Sequence, residues 1–273
     1  MEPVFIIATL VYMLSCACYF GYLFFQKPIF QRTAVGLMAA GFALHTVSLV
    51  ACGIRAGHFP VNNLHETLSV TGWAIAAVFL AFFFMYRLKV LGIYAAPLIT
   101  LVMIAAYQMP RPMSQDPQLL KSWWLAAHII TIFLGNAAFA LACGLGMLYL
   151  LQENAIKKKT RGFFFSRLPS LDLLDTTGYA SIVVGFSMIT IGLITGVVYA
   201  KAIWGRFWSW DPKEVWSAIS WLFYAALLHK RLTVGWRGRR AAIMAIIGFG
   251  VILFTFFGVN FLLQGHHGTF TAM

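Results

Sequence analysis

Residues 178–200 read GYASIVVGFSMITIGLITGVVYA, twenty-three consecutive positions without one charged side chain. A helix of about 20 apolar residues spans the hydrocarbon core of a bilayer, so this stretch alone predicts a transmembrane helix. Working outward from it, seven further runs carry the same signal, at 3–25, 33–53, 67–86, 90–109, 123–151, 213–230 and 240–262. The run at 123–151 is long enough to tilt or to project from the membrane. A membrane β-barrel would show about ten-residue segments of alternating polarity instead. The expected fold is therefore all-α, with about eight transmembrane helices forming a single membrane domain over 1–273.

Composition agrees with that reading. Of 273 residues, 61% are hydrophobic and 10% charged, where soluble domains carry about 45–50% and about 25%. Mean hydropathy is +0.81. Disorder, collagen and a disulfide scaffold are excluded. The net charge of +12 could suggest nucleic acid, but the basic residues sit in short loops between apolar runs, where they act as an orientation signal. Cys16, Cys18, Cys52 and Cys143 all lie within apolar runs, and no CxxC pair or CxxCH haem-attachment site exists. The chain is thus not itself a c-type cytochrome. Its N-terminus carries Glu2 and no basic region, so the first run reads as a retained helix.

Charge placement orients the bundle. The loops 26–32, 87–89, 152–177 and 230–239, with the adjoining Arg240, hold 14 of the 20 Lys and Arg residues. The positive-inside rule makes that set cytoplasmic and turns both termini and the loops 54–66 and 201–212 outward. Segment 162–177, GFFFSRLPSLDLLDTT, mixes aromatics, leucines and charge. It reads either as a short interfacial helix or as a linker.

The most specific outward-facing stretch is 204–216, WGRFWSWDPKEVW, with Trp204, Trp208, Trp210 and Trp216 among thirteen residues. Tryptophan favours the membrane interface, but a simple aromatic belt requires neither this clustering nor the glycine and charges beside it. The pattern suggests a flat aromatic platform for a large planar ligand, with Arg206 and Lys213 available for acidic groups. Asp211-Pro212-Lys213-Glu214 also reads as a helix start, with Asp as N-cap, Pro at the first helical position and Glu at the third. The positive end of that helix would then point at the platform. Histidine inside a membrane protein commonly marks a ligand site or a pathway. His58, His65, His128, His266 and His267 fall at or near the outer side. His229 falls near the cytoplasmic end of the seventh run, and His45, mid-helix, reads as a core histidine. A planar ligand between two imidazoles would be haem.

These residues carry a resemblance. WGRFWSWDPKEVWSAISWLFYAALLH at 204–229 resembles the tryptophan-rich WWD signature of the haem-handling proteins of cytochrome c assembly. GHFPVNNLHETL at 57–68, RLPSLDLLD at 167–175 and GVNFLLQGHHG at 258–268 are similar to segments of its CcsA (ResC) branch, so the likeness runs through nearly the whole chain. The eight runs match that branch, whereas the related CcmC proteins have six. Two departures are His65, where that branch commonly has Tyr, and Val215, where Thr is common.

The resemblance implies a membrane subunit of holocytochrome c synthase. It would bind b-type haem non-covalently in transit and present it outside for attachment to the CxxCH thiols of apocytochrome c. The implied iron ligands are His128 and His267 on the outer side, with the adjacent His266 as the alternative to His267. His229 is implied for haem arriving from the cytoplasmic side, its opposite ligand coming from a CcsB (ResB) type membrane partner. Trp204, Arg206, Trp208, Trp210, Asp211, Lys213 and Trp216 would form the binding surface, and no side chain would act as a nucleophile. The implied location is the plasma (inner) membrane or a thylakoid-type membrane. The rival readings are a CcmC-like exporter that hands haem to a separate carrier, a quinol-oxidising cytochrome b, for which no set of histidine pairs exists, and a non-haem transporter. The charge split makes its own prediction: a reporter fused after Met273 should work only as an extracytoplasmic enzyme, and activity of a cytoplasm-only reporter there would reverse the orientation.

Overall fold

A computed structural model describes residues 2–111, 119–159, 162 and 166–259. Among them the regular structure is entirely helical: α1 (Glu2–Phe25), α2 (Pro28–Ala56), α3 (Leu64–Tyr86), α4 (Leu91–Gln108), α5 (Trp123–Lys157), α6 (Leu171–Trp204), α7 (Pro212–Thr233) and α8 (Arg239–Leu253), plus one short 3-10 turn at Leu119–Lys121. A π turn over Phe254–Gly258 extends α8. Seven of these helices are long and apolar enough to cross a membrane. The protein is therefore a polytopic membrane protein. Helix α7 has 22 residues but is less apolar, because Lys213, Glu214, Ser217, Ser220, His229, Lys230 and Arg231 interrupt it. It still runs the length of the bundle. Its first turn lines a cavity with His128, while its last turn pairs with Asp175 at the far end of α6.

The helices outrun the apolar stretches of the sequence at their polar ends. Helix α5 reaches Lys157, and α6 begins at Leu171 rather than near 178. Segment 162–177 is consequently neither a separate interfacial helix nor a linker over its described C-terminal part. Ser170 caps α6 by accepting from the Leu173 amide, and Leu171–Thr177 form the opening turns of that helix. A strong N-cap placed before two Leu-rich turns explains the continuity.

Packing centres on α5 against α6, the most extensive helix pair. In lipid, helices associate by close packing, which small residues permit. Gly185 approaches so closely that an added Cβ would lie 2.6 Å from Phe139 and 3.1 Å from the Gly135 carbonyl, and a Cβ on Gly196 would lie 2.6 Å from His128. Phe139 in turn stacks on Tyr224 of α7, with ring centres 3.5 Å apart and planes within 9°. Helices α1 to α4 form the other half of the core. There His45 is fully buried; its Nε2 bonds Ser69 Oγ at 2.9 Å, while its Nδ1 has no partner among the described residues. It is thus a core histidine, half satisfied.

The end of the bundle away from the cavity is tied by charge. Arg231 donates to both oxygens of Asp175, at 3.0 and 2.7 Å, the Gly238 amide donates to the same carboxylate at 2.8 Å, and the guanidinium lies 4.4 Å from the centre of the Tyr179 ring. This clamp joins α6, α7 and the turn into α8. Removing one member of a largely buried pair strands the other charge at a cost of about 3–5 kcal/mol, whereas replacing both with apolar residues is far milder. Arg231→Met should therefore markedly lower the thermal stability of the detergent-solubilised protein, and Asp175→Leu in the same chain should restore most of it.

Candidate functional site

The tryptophan-rich stretch folds as the connection from α6 to α7, and its conformation follows from its residues. Gly205 ends α6 in the left-handed region at φ +71°, which glycine adopts without steric penalty. Trp210 adopts the same region at φ +59°, where a bulky side chain is strained. What holds it there is a capping box of the predicted kind. Asp211 accepts from the Lys213 amide at 2.9 Å, and Glu214 reaches back to accept from the Asp211 amide at 3.3 Å. Glu214 also accepts from the Ser209 amide at 2.8 Å and from the Ser209 hydroxyl at 2.9 Å. Both neighbours of Trp210 are thereby tied to one carboxylate. Upstream, Lys201 donates to the Gly205 carbonyl and sits 5.0 Å from the Phe207 ring centre.

Beneath this loop lies a cavity of about 260 Å³ between α5, α6, α7 and the end of α8. Trp204, Phe207 and Trp208 form one wall, Ile132, Ile189 and Leu193 supply apolar lining, and Lys213, Glu214, Ser217, Ser220 and Asn136 add polar groups. His128 belongs to the same lining. Its Nδ1 lies 2.7 Å from the Gly192 carbonyl of α6. A carbonyl only accepts, so Nδ1 carries the proton and Nε2 is the basic nitrogen, as in imidazoles prepared for a metal. The sequence does not announce Gly192, because the group that orients His128 is a backbone carbonyl.

The other expected site residues divide. Trp208 and Trp210 meet edge to face, 5.9 Å apart at 87°, so the aromatic surface is a folded wall rather than a plane. Trp210 is 79% exposed and Arg206 is exposed; both lie outside the cavity lining. Trp216 packs on Phe254 of the π turn at 4.5 Å and supports the wall from behind. Asp211 is buried as the cap. His65 bonds the Ala106 carbonyl and His58 the Phe59 carbonyl, and neither is in the cavity lining. His229 is exposed on α7, towards the other end of the bundle. His266 and His267 lie outside the described residues. The sequence had singled out neither Asn136 nor the serines of α7; a turn-by-turn polar stripe on an otherwise apolar helix was the available signal.

Fold and site together define a polytopic membrane protein with an aromatic cavity at one end, an oriented imidazole in its wall and a cation at the start of a helix. Comparison with known proteins carries this further. A profile described as "Cytochrome C assembly protein" matches residues 61–267. The cytochrome c biogenesis protein CcsA of Prochlorococcus marinus strain MIT 9301 is 35% identical, over 97% of this chain and 94% of its own length. The CcsA proteins of Synechococcus sp. strain JA-3-3Ab and of P. marinus subsp. pastoris strain CCMP1986 are 33% and 37% identical, over 85% and 81% of this chain and 83% and 78% of theirs. The chain belongs to the cytochrome c assembly protein family. The profile begins at the loop before α3, so the cavity-bearing helices α5 to α7 fall within it, while α1 and α2 lie outside.

An N-cap carboxylate is worth about 0.5–2 kcal/mol, and here it also restrains a strained tryptophan. Asp211→Ala and Glu214→Ala should leave the protein in the membrane while increasing chymotrypsin cleavage within 204–210 several-fold. Wild-type resistance in both variants would show that the loop is held by other contacts.

Proposed function

We propose that this chain is the membrane subunit of a holocytochrome c synthase. In this reading it accepts b-type haem non-covalently, carries it from the cytoplasmic side, and presents it outside to the CxxCH segment of apocytochrome c. Haem is the cargo, and the protein's part is positioning. Its side chains must offer an iron ligand, an apolar aromatic surface and a counter-charge for propionates; the cavity's His128, tryptophan wall and Lys213 fit those needs. The observation that carries the reading is the bond from His128 Nδ1 to the Gly192 carbonyl, which puts the proton on Nδ1 and makes Nε2 the basic nitrogen, in a cavity lined by Trp204 and Trp208. The second outer ligand is assigned to His267, with His266 as its neighbour, on the resemblance of the C-terminal segment. His229 is assigned to incoming haem on the same ground.

Attachment itself needs no nucleophile from this chain. The thiol sulfur of the apocytochrome adds to one carbon of a vinyl group and its hydrogen goes to the other, so no electrons are lost or gained in that step. What is required is a haem held with its vinyl edge reachable, and fixed orientation is a large part of what a catalyst contributes. The cavity side of the bundle has only short connections between its described helices, too little chain to fold as an independent domain that grips a peptide. A CcsB (ResB) type membrane protein is therefore proposed as the partner that holds the apocytochrome and completes the ligation opposite His229.

Co-expression with such a partner should yield covalent cytochrome c, scored by haem stain on a denaturing gel, while this chain alone yields haem-bound protein and no attachment. His128→Ala should abolish attachment and be partly rescued by added imidazole; His229→Ala should prevent haem from reaching the outer site. Delivery of haem by the pair to a soluble carrier, without attachment, would favour the exporter reading instead.

A further inference from the structure

The surface around His229 has a polarity of its own. On α7, Ile219, Leu222, Ala226 and His229 are exposed at intervals of three, four and three residues, which places them on one helix face. Leu222 is 59% exposed. From His229 towards the cavity end, this face is therefore apolar. From His229 in the opposite direction the same face passes the exposed Leu232 and Thr233 and then reaches the basic α7–α8 turn. Lys230 follows His229 in the chain on the adjacent face, and the turn folds back against it, the Trp236 amide donating to the Lys230 carbonyl at 3.3 Å. Arg240 sits 5.9 Å from the centre of the Trp236 ring. The nearby basic residues are differently engaged: Arg231 is held by Asp175 and Arg239 by Glu153. Lys230 and Arg240 are exposed, and neither has an acidic partner among the described residues.

We infer that the α7–α8 turn is a propionate-binding site, with Lys230 and the Arg240–Trp236 pair holding haem at His229 with its propionates towards the cytoplasm and its vinyl edge pointing up the apolar face of α7. The inference rests on the assignment of His229 to incoming haem. The argument is one of matched polarity. Carboxylates are expensive inside a bilayer and favoured beside interfacial cations, whereas the vinyl-bearing edge is apolar and gains from Leu222 and Ala226. The opposite orientation would bury two carboxylates against leucine and isoleucine and leave Lys230 and Arg240 facing vinyl groups. The Asp175–Arg231 clamp supports the site by fixing the turn that carries these cations.

The test uses the full chain with its partner, purified into nanodiscs of neutral phosphatidylcholine, in a His128→Ala background that removes an outer ligand. Titration with haem and with haem dimethyl ester, whose propionates carry no charge, is followed by absorption. The double variant Lys230→Glu, Arg240→Glu should bind haem at least tenfold more weakly and bind the dimethyl ester as the unreversed protein does. Unchanged haem binding would overturn the propionate site while leaving His229 as a ligand. An equal loss for both haems would also overturn it, showing that the reversal damages the fold. A loss seen only when anionic lipid is added would reassign the cations to lipid headgroups. If His229→Ala, with Lys230 and Arg240 intact, binds both haems undiminished, the reading of His229 itself fails and the orientation with it.

Discussion

Helices α5 and α6 meet almost backbone to backbone because Gly135 and Gly185 face each other, and Gly192 and Gly196 continue that face to the cavity end. The position of His128 follows from this contact. A side chain at Gly196 would occupy the place of its ring, and a wider helix separation would carry the Gly192 carbonyl out of reach of its Nδ1. Phe139 and Tyr224 are stacked by the same approach, which draws α7 in and sets where its first turn, with Lys213 and Glu214, meets the cavity. In lipid the hydrophobic effect supplies little force between helices, so this steric fit carries the weight that core burial carries in water.

The loop between α6 and α7 shows how a short motif converts local chemistry into one wall of a cavity. Glu214 satisfies the amides of Ser209 and Asp211 on either side of the left-handed Trp210. That arrangement keeps Trp204, Phe207 and Trp208 against the cavity and sends Trp210 outward. The capping box is thus part of the site's shape as well as of the helix's stability. The π turn beside it contributes too: Thr255 and Phe256 line the cavity while Phe254 backs Trp216. Such π insertions in α-helices are frequent at functional sites.

Charge is used differently at the two ends. Near the cavity the cation Lys213 stands in the wall, close to the place where a ligand would sit. At the opposite end Arg231 and Arg239 pair with Asp175 and Glu153, tying helices together. Which role a basic residue takes follows from what lies within reach: Arg231 and Arg239 meet carboxylates, whereas Arg167 donates to the Leu23 carbonyl of α1.

Much was legible from sequence because its signals are local. An uncharged run of twenty or more residues can satisfy its backbone in lipid only as a helix or as a barrel strand, and its period excludes the barrel. Asp211, Pro212 and Glu214 cap their helix through bonds spanning a few residues, so the capping box could be read in advance. The start of α6 at Leu171 was missed because its first turns carry Asp172 and Asp175, which hydropathy scores as loop although Asp175 is half-buried in a clamp with Arg231. Which histidine faces the cavity depended on partners far along the chain: Gly192 lies 64 residues from His128, and Ala106 lies 41 from His65. Sequence determined the helical spans, the cap of α7 and the tryptophan motif, because each rests on contacts within a turn or two. Only the tertiary structure decided which aromatic rings line the cavity and which nitrogen of His128 is basic, because those follow from how closely separate helices can approach.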